Sequence, residues 1–550
     1  MRNFIFSAFI AGFISLLHFS CANEVHPTGG PRDTIPPYLI HSIPETQSLN
    51  YTKNIIFLEF NEFIKADKLN SQLLITPTVA SKYKVKVGPK KIQIKFEDDR
   101  PFLENTTYTF NFQNSIKDLT EGNIWENPKI VFSTGNYIDS LYIKGRVVEL
   151  MTAKPAKKYI VSIYSHSDTL NALTGKPMYF TMTGEDGSFL LENLVSDTFK
   201  IYAFNDKNNN LIIDPSDEAY AFLPNPIALD SSVDDIELKA LNLNISDIRL
   251  ISARPIRTYF DITYNKSLID YKLTPIDNNV NLYSNLVDSN KKIRIYNTGT
   301  ITDSLQVEAF AKDSVYNIAI DTIVVKFTES RLPPEKLQHK VSPERNSQVH
   351  RDLTVDISFN KPIVSVNYDS LLIIYDSISH KKLTEENLLF NKSYDQLKII
   401  TEISHPSEEN KEFTFYAAAG AFISAEGDSS STINQIYKII DPINFGSIHG
   451  SIFTKHDNFI IQLLRSDFKV FREIKNQRSF SFDLVPPGSY LIRILIDSNL
   501  DGEWGGGNIL KNEPPEEVVF YLDEKKQPQT ISLKANWEIN DIQIVYEPSE

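Results

Sequence analysis

Cysteine is almost absent from this chain, whose 550 residues include a single one, Cys21. One thiol excludes a disulfide within the chain, and it also excludes iron–sulfur clusters and multi-thiolate zinc sites, which need several cysteines. Basic charge is in deficit as well, since 56 Lys and Arg oppose 70 Asp and Glu and give a formal net charge of −14. A nucleic-acid-binding protein needs a clustered basic face, so we expect no nucleic-acid partner.

The sequence also lacks the common motifs of catalysis. It contains no His-Glu-x-x-His zinc motif, no Gly-x-Ser-x-Gly nucleophile elbow, no phosphate-binding Walker loop and no dinucleotide fingerprint. Its ten histidines are scattered. We therefore predict that the protein is not an enzyme, and we expect no organic cofactor.

Long apolar runs are absent except for one at the N-terminus, over residues 4–19. This run predicts a secretory signal peptide at residues 1–20, because it is too short to span a bilayer comfortably. Cys21 follows it behind Ser20, where a bacterial lipoprotein carries the acylated thiol. The alternative is a stray cysteine in an ordinary signal peptide. Residues 21–36 are rich in Pro and Gly and predict an extended, lipidated tether.

Short alternating apolar runs fill the rest of the chain. They are rich in Val, Ile, Phe and Tyr, as in residues 55–60, 92–96 and 490–496, and turn-forming residues separate them. Alternation with a period of two at strand length predicts half-buried β-strands, and amphipathic helical windows are scarce. The expected fold class is therefore all-β, with tandem β-sandwiches behind the signal peptide.

Three motifs recur in the same order at long range. The pairs are Phe60-Asn61 with Phe359-Asn360, the Asn/Asp loop at Asp206 with that at Asp497, and Leu238-Lys239-Ala240 with Leu533-Lys534-Ala535. Repetition in a constant order predicts a duplicated two-domain unit. Residues 251–329 between the copies alternate in the same way but have no echo.

The first half of the leading copy resembles the bacterial Ig-like domain of the SbsA type. The resemblance rests on the matching segments Leu58-Glu59-Phe60-Asn61-Glu62, Leu103 through Tyr108-Thr109, Asp118 through Gly122-Asn123, and Phe132-Ser133-Thr134-Gly135. The second half, with Gly145-Arg146-Val147 and Asp186-Gly187-Ser188-Phe189, is similar to carboxypeptidase-regulatory or prealbumin-like sandwiches, which implies a non-catalytic module. The later copy carries Gly450-Ser451-Ile452 in the same role.

These resemblances imply a domain order. We expect an SbsA-type Ig-like domain at 37–136, a prealbumin-like sandwich at 137–250, a β-sandwich of unassigned type at 251–330, a divergent Ig-like domain at 331–442 and a second prealbumin-like sandwich at 443–550. The whole layout, with Pro27-Thr28-Gly29-Gly30-Pro31 just after the cysteine, resembles large outer-membrane lipoproteins of Bacteroidota.

Asp followed by Ser or Thr and then an aliphatic residue resembles the O-glycosylation signal of the same group of bacteria. It would place glycans on eight hydroxyls: Thr34, Ser140, Thr169, Ser304, Ser314, Thr322, Ser370 and Ser377. Such a site requires an exposed loop of an exported protein. The alternative is that these dipeptides form turns, because both side chains bond to nearby backbone.

Two loops carry side-chain oxygens at alternate positions, a pattern typical of Ca²⁺ loops. The candidate ligands are Asp206, Asn208, Asn210, Asp214 and Asp217 in the first loop and Asp497, Asn499 and Asp501 in the second. Leu211 and Asn508 depart from the full pattern. The alternative is a pair of Asn/Asp-rich hairpin turns that need no metal.

The leading functional hypothesis is a non-enzymatic protein, anchored by lipid to the outer membrane, in which five sandwiches form a rod that displays binding surfaces. It would lie on the cell surface or on the periplasmic face and bind a protein or glycan partner. One alternative is an accessory subunit of an outer-membrane assembly, secretion or uptake complex. Another is a module that binds or degrades polysaccharide.

Overall fold

The computed structural model describes residues 32–276, 280–299, 301, 303–404 and 411–547. Almost all of their regular structure is β, which confirms the predicted fold class of tandem β-sandwiches. The described α-helical structure is one turn, α1 (Leu69–Gln72), and none of it is long enough to cross a membrane. The predicted signal peptide and Cys21 lie outside the described residues.

The chain divides into two compact units. Unit 1 contains Met1–Tyr142, Met178–Phe180 and Leu191–Ser196, and unit 2 contains Ile143–Pro177, Thr181–Leu190 and Asp197–Glu550.

The first sandwich lies in unit 1 and contains nine strands: β1 (Leu39–Ile43), β2 (Ile55–Phe60), β3 (Ile64–Ala66), β4 (Leu74–Thr76), β5 (Tyr83–Val87), β6 (Lys91–Phe96), β7 (Thr107–Asn111), β8 (Ile116–Asp118) and β9 (Lys129–Ser133). Their sheets have the orders β1-β2-β6-β5, β3-β8 and β4-β7-β9. Alternate residues of β2 and β6 point into a core of Phe, Tyr, Ile and Leu side chains. Asp118 ends β8 by accepting backbone N–H groups from Glu121, Gly122 and Asn123.

The second sandwich contains eight strands: β10 (Leu141–Glu149), β11 (Ile160–Ser165), β12 (Tyr179–Met182), β13 (Ser188–Leu194), β14 (Thr198–Phe204), β15 (Tyr220–Phe222), β16 (Ile227–Ala228) and β17 (Val233–Ala240). One sheet has the order β13-β10-β17, and the other has the order β12-β11-β14-β15 with β16 paired to β14. The pair β10–β17 is parallel.

The third sandwich contains seven strands: β18 (Leu250–Ile256), β19 (Tyr259–Tyr264), β20 (Leu268–Pro275), β21 (Ser284–Val287), β22 (Lys292–Tyr296), β23 (Leu305–Asp313) and β24 (Ile318–Val325). Its two sheets have the orders β18-β19-β22-β21 and β20-β23-β24. Apolar residues from both sheets form its core.

The fourth sandwich contains eleven strands: β25 (His339–Ser342), β26 (Gln348–Val349), β27 (Asp352–Phe359), β28 (Ile363–Val366), β29 (Leu371–Ile374), β30 (His380–Lys382), β31 (Leu388–Phe390), β32 (Gln396–Glu402), β33 (Glu412–Ala417), β34 (Phe422–Ser424) and β35 (Ile433–Ile439). The sheet β25-β27-β32-β31 repeats the arrangement of β1-β2-β6-β5. Asn360 follows β27 as Asn61 follows β2, and each accepts the N–H of a residue in the segment before the sandwich, Gln338 or Tyr38.

The fifth sandwich contains eight strands: β36 (Gly446–Thr454), β37 (Phe459–Arg465), β38 (Val470–Lys475), β39 (Ser479–Val485), β40 (Gly488–Ile496), β41 (Val518–Phe520), β42 (Ile531–Leu533) and β43 (Glu538–Tyr546). Its sheets, β39-β36-β43 and β38-β37-β40-β41 with β42 on β40, repeat the second sandwich strand for strand. The parallel pair recurs as β36–β43. The predicted internal repeat is confirmed.

One of the three sequence echoes pairs the wrong strands. Leu238 lies in β17, whereas Leu533 lies in β42, and the topology makes β43 the counterpart of β17. Three similar residues in an alternating strand are too few to define register, because most strands of this chain share that composition. The echoes at Phe60 and Asp206 do join equivalent positions, at the ends of β2 and β27 and after β14 and β40.

Candidate functional site

The second and fifth sandwiches contact each other through an apolar cluster inside unit 2. The second sandwich contributes Leu150, Met151, Ala153 and Leu241, and the fifth contributes Ile460, Leu464, Phe468, Leu491, Leu495, Trp504, Val518 and Phe520. The leucines of β37 and β40 in this cluster are at most 6% exposed. The outer face of the fifth sandwich's larger sheet is therefore covered by a sandwich that lies about 300 residues earlier in the chain.

A buried arginine crosses the same contact. Arg493 of β40 donates two hydrogen bonds to Oε1 of Gln462 and one, 2.6 Å long, to the backbone carbonyl of Met151. Burial lowers the pKa of Arg493. At the rim, Nζ of Lys239 lies 2.6 Å from Oε2 of Glu517. Within unit 2, the second sandwich therefore contacts a sandwich that is not its neighbour in sequence.

The end of the second sandwich is held to the third by a buried lysine. Lys266, 5% exposed, lies 2.7 Å from the fully buried carboxylate of Asp313. Its ammonium also donates to the carbonyls of Asn244 and Ser246, in the segment between β17 and β18. A charge buried this deeply is stable only when its donors are matched, so the segment is fixed in place.

Polar groups join the third and fourth sandwiches. The hydroxyl of Tyr296 lies 2.8 Å from the carbonyl of Asn360, the residue after β27, and 3.1 Å from Oδ1 of Asn285, and its one proton is shared between these two acceptors. The amide of Asn285 donates to Oδ2 of Asp395 at 3.1 Å. Burial raises the pKa of Tyr296, so its proton stays in place to make these bonds.

A buried ion cluster lies next to this interface. Nζ of Lys361, a residue 1% exposed, lies 2.8 Å from Glu426 and 3.1 Å from both carboxylate oxygens of Asp428. Glu426 also accepts a hydrogen bond from Thr258 of the third sandwich. Burial acts to raise the pKa of Asp428, but hydrogen bonds from Ser424 and Lys361 outweigh it and hold that pKa below 3.8. The cluster therefore ties the fourth sandwich to the third.

A groove of about 1020 Å³ opens between the third and fourth sandwiches. Its walls include Tyr271, Tyr283 and Tyr394 together with Lys272, Lys312, Lys392, Asn281 and Asn391. Tyr394 is 50% exposed, and the hydroxyl of Tyr271 lies 3.3 Å from Oγ of Ser393 on the opposite wall. Rings, amides and ammonium groups suit a polar ligand with apolar faces. Sequence reasoning missed this groove, because its walls come from distant segments.

The two Asn/Asp loops share most of their hydrogen bonds but differ at the leading aspartate. In the loop after β14, Asp206 accepts the N–H groups of Asn210 and Leu211, and Asn208 and Asn210 each accept an N–H two residues later. In the loop after β40, Asp497 accepts the N–H of Gly502, and Asn499 and Asp501 each accept an N–H two residues later. In each loop these side-chain oxygens therefore face backbone N–H groups of the same loop.

The carboxylates of two further predicted ligands are engaged by other partners. The carboxylate of Asp214 accepts from Ser216, and that of Asp217 pairs with Lys207. Glu218 instead reaches back to the loop and accepts the N–H of Lys207, as Glu516 accepts those of Ser498 and Asn499 in the second loop. Sequence reasoning noted Glu218 beside Asp214 and Asp217 but did not select Glu516, because the two glutamates lie at different distances from their loops. In the part of the chain that the structure describes, no three His, Cys, Asp or Glu side chains are grouped to hold a metal.

Comparison with known families gives one match. Residues 33–134 match the family described as Bacterial Ig-like domain. The match covers the first sandwich, in agreement with the resemblance seen in its motifs. A search of curated proteins returns no match.

Several solved structures share strand-rich stretches with the chain. The Bacillus anthracis TIE protein is 9% identical, with 95% of this chain and 76% of that chain covered at a TM-score of 0.13. Dimeric latent PorU from Porphyromonas gingivalis is 8% identical, with 55% and 36% covered at a TM-score of 0.22. Domains 1–6 of the surface layer protein SbsC are 11% identical, with 91% and 67% covered at a TM-score of 0.15. At these scores the likeness carries no argument about function.

The eight predicted glycosylation sites lie at different kinds of position. Thr34, Ser140, Thr169, Ser304, Ser314 and Ser377 are exposed outside strands; Thr322 is exposed within β24, and Ser370 is half-buried in a short 3-10 turn. Four of the preceding aspartates accept the N–H two residues later: Asp33, Asp168, Asp313 and Asp376. These turns agree with the alternative reading of the dipeptides, and glycosylation stays a prediction.

Proposed function

We propose that the protein is a non-enzymatic scaffold, lipid-anchored to the outer membrane, with an Ig-like sandwich at its start and four sandwiches in unit 2 that are held together by direct contacts. The observation that carries this proposal is the docking of the fifth sandwich on the second. Together with the polar contacts at Lys266, Tyr296 and Lys361, it leaves none of the four sandwiches of unit 2 held by a linker alone.

The chemistry of the buried charged groups supports a structural role. Arg493, Lys361 and Lys266 are each used to join two sandwiches, and their hydrogen bonds end on carboxylates, an amide and backbone carbonyls. A catalytic group needs access to a substrate, whereas these groups are sealed in interfaces. These three buried cations of unit 2 therefore act between domains.

Lipid anchoring rests on Cys21 and is tested directly. Cells that express the full chain are grown with radiolabelled palmitate, and the Cys21→Ala variant serves as the control. We expect label in the wild-type chain and none in the variant, and we expect the wild type to fractionate with the outer membrane. Equal labelling of the two, or a wild-type chain found free in the cytosol, would contradict the proposal.

Scaffolding is tested by purification from detergent-solubilised outer membranes. The proposal predicts a chain that is purified without a stoichiometric membrane partner and that shows no reducing-sugar release on polysaccharides. A stoichiometric partner would instead favour an accessory subunit of a membrane complex. Protease treatment of intact cells then distinguishes the cell surface from the periplasmic face, since only a surface-exposed body is cut.

A second candidate function is glycan binding in the groove between the third and fourth sandwiches. The half-exposed ring of Tyr394 and the amides and hydroxyls around it favour this candidate. Sugars pack their apolar faces on aromatic rings and bond to such polar groups. On a glycan array we expect binding that Tyr394→Ala removes and Tyr137→Ala, which changes a tyrosine 51% exposed outside the groove, leaves unchanged. A flat array with wild-type protein would exclude this candidate.

A further inference from the structure

We propose that the loop after β40, residues 497–502, binds one Ca²⁺ through the carboxylates of Asp497 and Asp501 and the side-chain carbonyl of Asn499. This inference is independent of the proposed function. The ligand set is two carboxylates and an amide, which Ca²⁺ accepts together with main-chain carbonyls and water.

The loop is shaped before any ion binds. Oδ2 of Asp497 accepts the N–H of Gly502 at 2.9 Å, which closes the loop, and Gly502 has a φ of +91° that favours glycine. Oδ1 of Asn499 and Oδ1 of Asp501 each accept a backbone N–H at 2.9 Å. These bonds fix the side chains at alternate positions, so little side-chain entropy remains to be lost when a cation binds.

The observation that points to a ligand is an unpartnered oxygen. Asp497 is 4% exposed, and its Oδ1 has no hydrogen-bond donor among the described residues. Its Oδ2 accepts the N–H of Gly502 and the amide of Asn458, so Oδ1 is the oxygen of this carboxylate that is left without a donor. A buried carboxylate oxygen without a donor is costly, and a cation removes that cost.

The duplicated loop after β14 offers an internal comparison. Both carboxylate oxygens of Asp206 are occupied, Oδ1 by the N–H of Asn210 and Oδ2 by that of Leu211. In the first loop, backbone N–H groups therefore donate to both oxygens of the first aspartate. In the second loop, Oδ1 of Asp497 has no donor among the described residues. The structure assigns calcium to the second loop and not to the first.

Negative charge at the second loop acts on a neighbouring tyrosine. The hydroxyl of Tyr316 donates to Glu503 at 2.7 Å. Burial raises the pKa of Tyr316, and the nearby charges of Glu503, Asp501 and Glu516 raise it further. A cation bound at the loop would relieve this charge. The carboxylate of Glu516 accepts the N–H groups of Ser498, Asn499 and Gly505, so we do not assign it as a ligand.

The loop also leads directly into the contact between sandwiches. Trp504 packs in the apolar cluster that joins the second and fifth sandwiches, and a Cβ on Gly506 would lie 2.3 Å from a methyl carbon of Leu243. Ordering residues 497–502 therefore orders the segment that packs against the second sandwich. We expect calcium to stabilise this contact as well as the loop.

The test uses the full chain, freed of metal with EDTA, in its wild-type form and as Asp497→Asn and Asp206→Asn. Thermal unfolding is followed by Trp fluorescence with and without about 5 mM Ca²⁺, a concentration that would fill a site of extracellular strength, with a Kd of roughly 10⁻⁴–10⁻³ M. Tb³⁺ serves as a luminescent probe, which Trp504 can sensitise only when the ion is close.

We expect Ca²⁺ to raise the Tm of the wild type and of Asp206→Asn by about 2–4 °C, and Asp497→Asn to show no rise. Sensitised Tb³⁺ luminescence should be present in the wild type and in Asp206→Asn and absent in Asp497→Asn. If Asp497→Asn fails to fold, Asp501→Asn, which changes an exposed residue, replaces it. An unchanged wild-type Tm, or a response lost in Asp206→Asn and kept in Asp497→Asn, would overturn the proposal.

Discussion

At the scale of single residues, buried charges mark the contacts between sandwiches. Arg493 is 5% exposed, and its guanidinium bonds to Gln462 and to the carbonyl of Met151 in another sandwich. Replacement by alanine would leave both acceptors unpaired in an apolar surrounding, which costs about 2–4 kcal/mol.

We predict that Arg493→Ala lowers the urea midpoint of the transition reported by Trp504 fluorescence. Trp504 lies in the apolar cluster, so its emission follows the docked state. Lys475→Ala, which changes an exposed residue of β38, is the matched control and should shift stability by less than about 0.5 kcal/mol. Coincident transitions for Arg493→Ala and the wild type would contradict the assigned role.

The Lys361 cluster gives a prediction in pH. The pKa of Asp428 is lowered in the folded chain, so its contribution to stability is fully present above about pH 3.8 and is lost as pH falls through the folded pKa. Lys361→Met removes the cation that helps to lower this pKa, and it leaves Glu426 charged and buried. We expect a loss of about 3–5 kcal/mol at neutral pH. Because the folded pKa of Asp428 then lies closer to its unfolded value, we expect a smaller further loss on acidification below about pH 3.8 than in the wild type.

The measurement for the Lys361 cluster is thermal unfolding between pH 3 and pH 7. Lys438→Met is the matched control in the same sandwich, because Lys438 pairs with Glu412 while both side chains are about half exposed. An exposed pair of this kind contributes little to stability, so the control should follow the wild type. Lys361→Met with the wild-type profile would show that the cluster does not stabilise the fourth sandwich.

At the scale of elements, the duplicated sandwiches depend on a glycine in the parallel strand pair. Gly145 of β10 and Gly450 of β36 occupy corresponding places beside Ile236 and Ile542. A Cβ on Gly450 would lie 2.5 Å from the carbonyl oxygen of Ile542 and 2.5 Å from the ring of Phe480. Strand and ring would have to move apart.

Gly450→Ala should therefore destabilise the fifth sandwich by about 1–3 kcal/mol. Gly488→Ala in the same sandwich is the control, since its Cβ would meet nothing closer than a carbon of the Tyr490 ring at 3.4 Å. Differential scanning calorimetry of the two variants compares the losses. If Gly488→Ala lost as much as Gly450→Ala, the close approach would not be the cause.

The sequence predicts most of these elements, because alternation alone identifies strands such as β2, β6 and β27. It predicts the Asp206 and Asp497 loops as oxygen-rich turns, and their local spacing sets their hydrogen bonds. It places Glu218 among the acidic residues that follow the first loop, but it does not identify Glu516, which reaches the second loop from a separate segment. It also misaligns Leu238 with Leu533, since a short alternating motif fits several strands.

At the scale of the whole chain, the docking of the second and fifth sandwiches could not be predicted from local pattern. One signal was present but was classed with the alternating runs: residues 490–496 are apolar at every position except Arg493, and β40 (Gly488–Ile496) is buried at successive positions from Tyr490 to Ile496. A strand without alternation indicates that both faces of its sheet are covered. The pattern does not identify the element that covers the second face, because the covering residues, such as Leu150 and Leu241, lie far away in sequence.

Zero-length carbodiimide cross-linking followed by mass spectrometry tests the docking most directly, because it joins only an amine and a carboxylate in contact. The account predicts a cross-link between Lys239 of the second sandwich and Glu517 of the fifth, whose charged atoms lie 2.6 Å apart. Lys438 and Glu412 form the positive control, because they lie on adjacent strands and Nζ of Lys438 is 2.8 Å from Oε1 of Glu412. Recovery of the control cross-link without the Lys239–Glu517 cross-link would contradict the docked arrangement and, with it, the proposed scaffold.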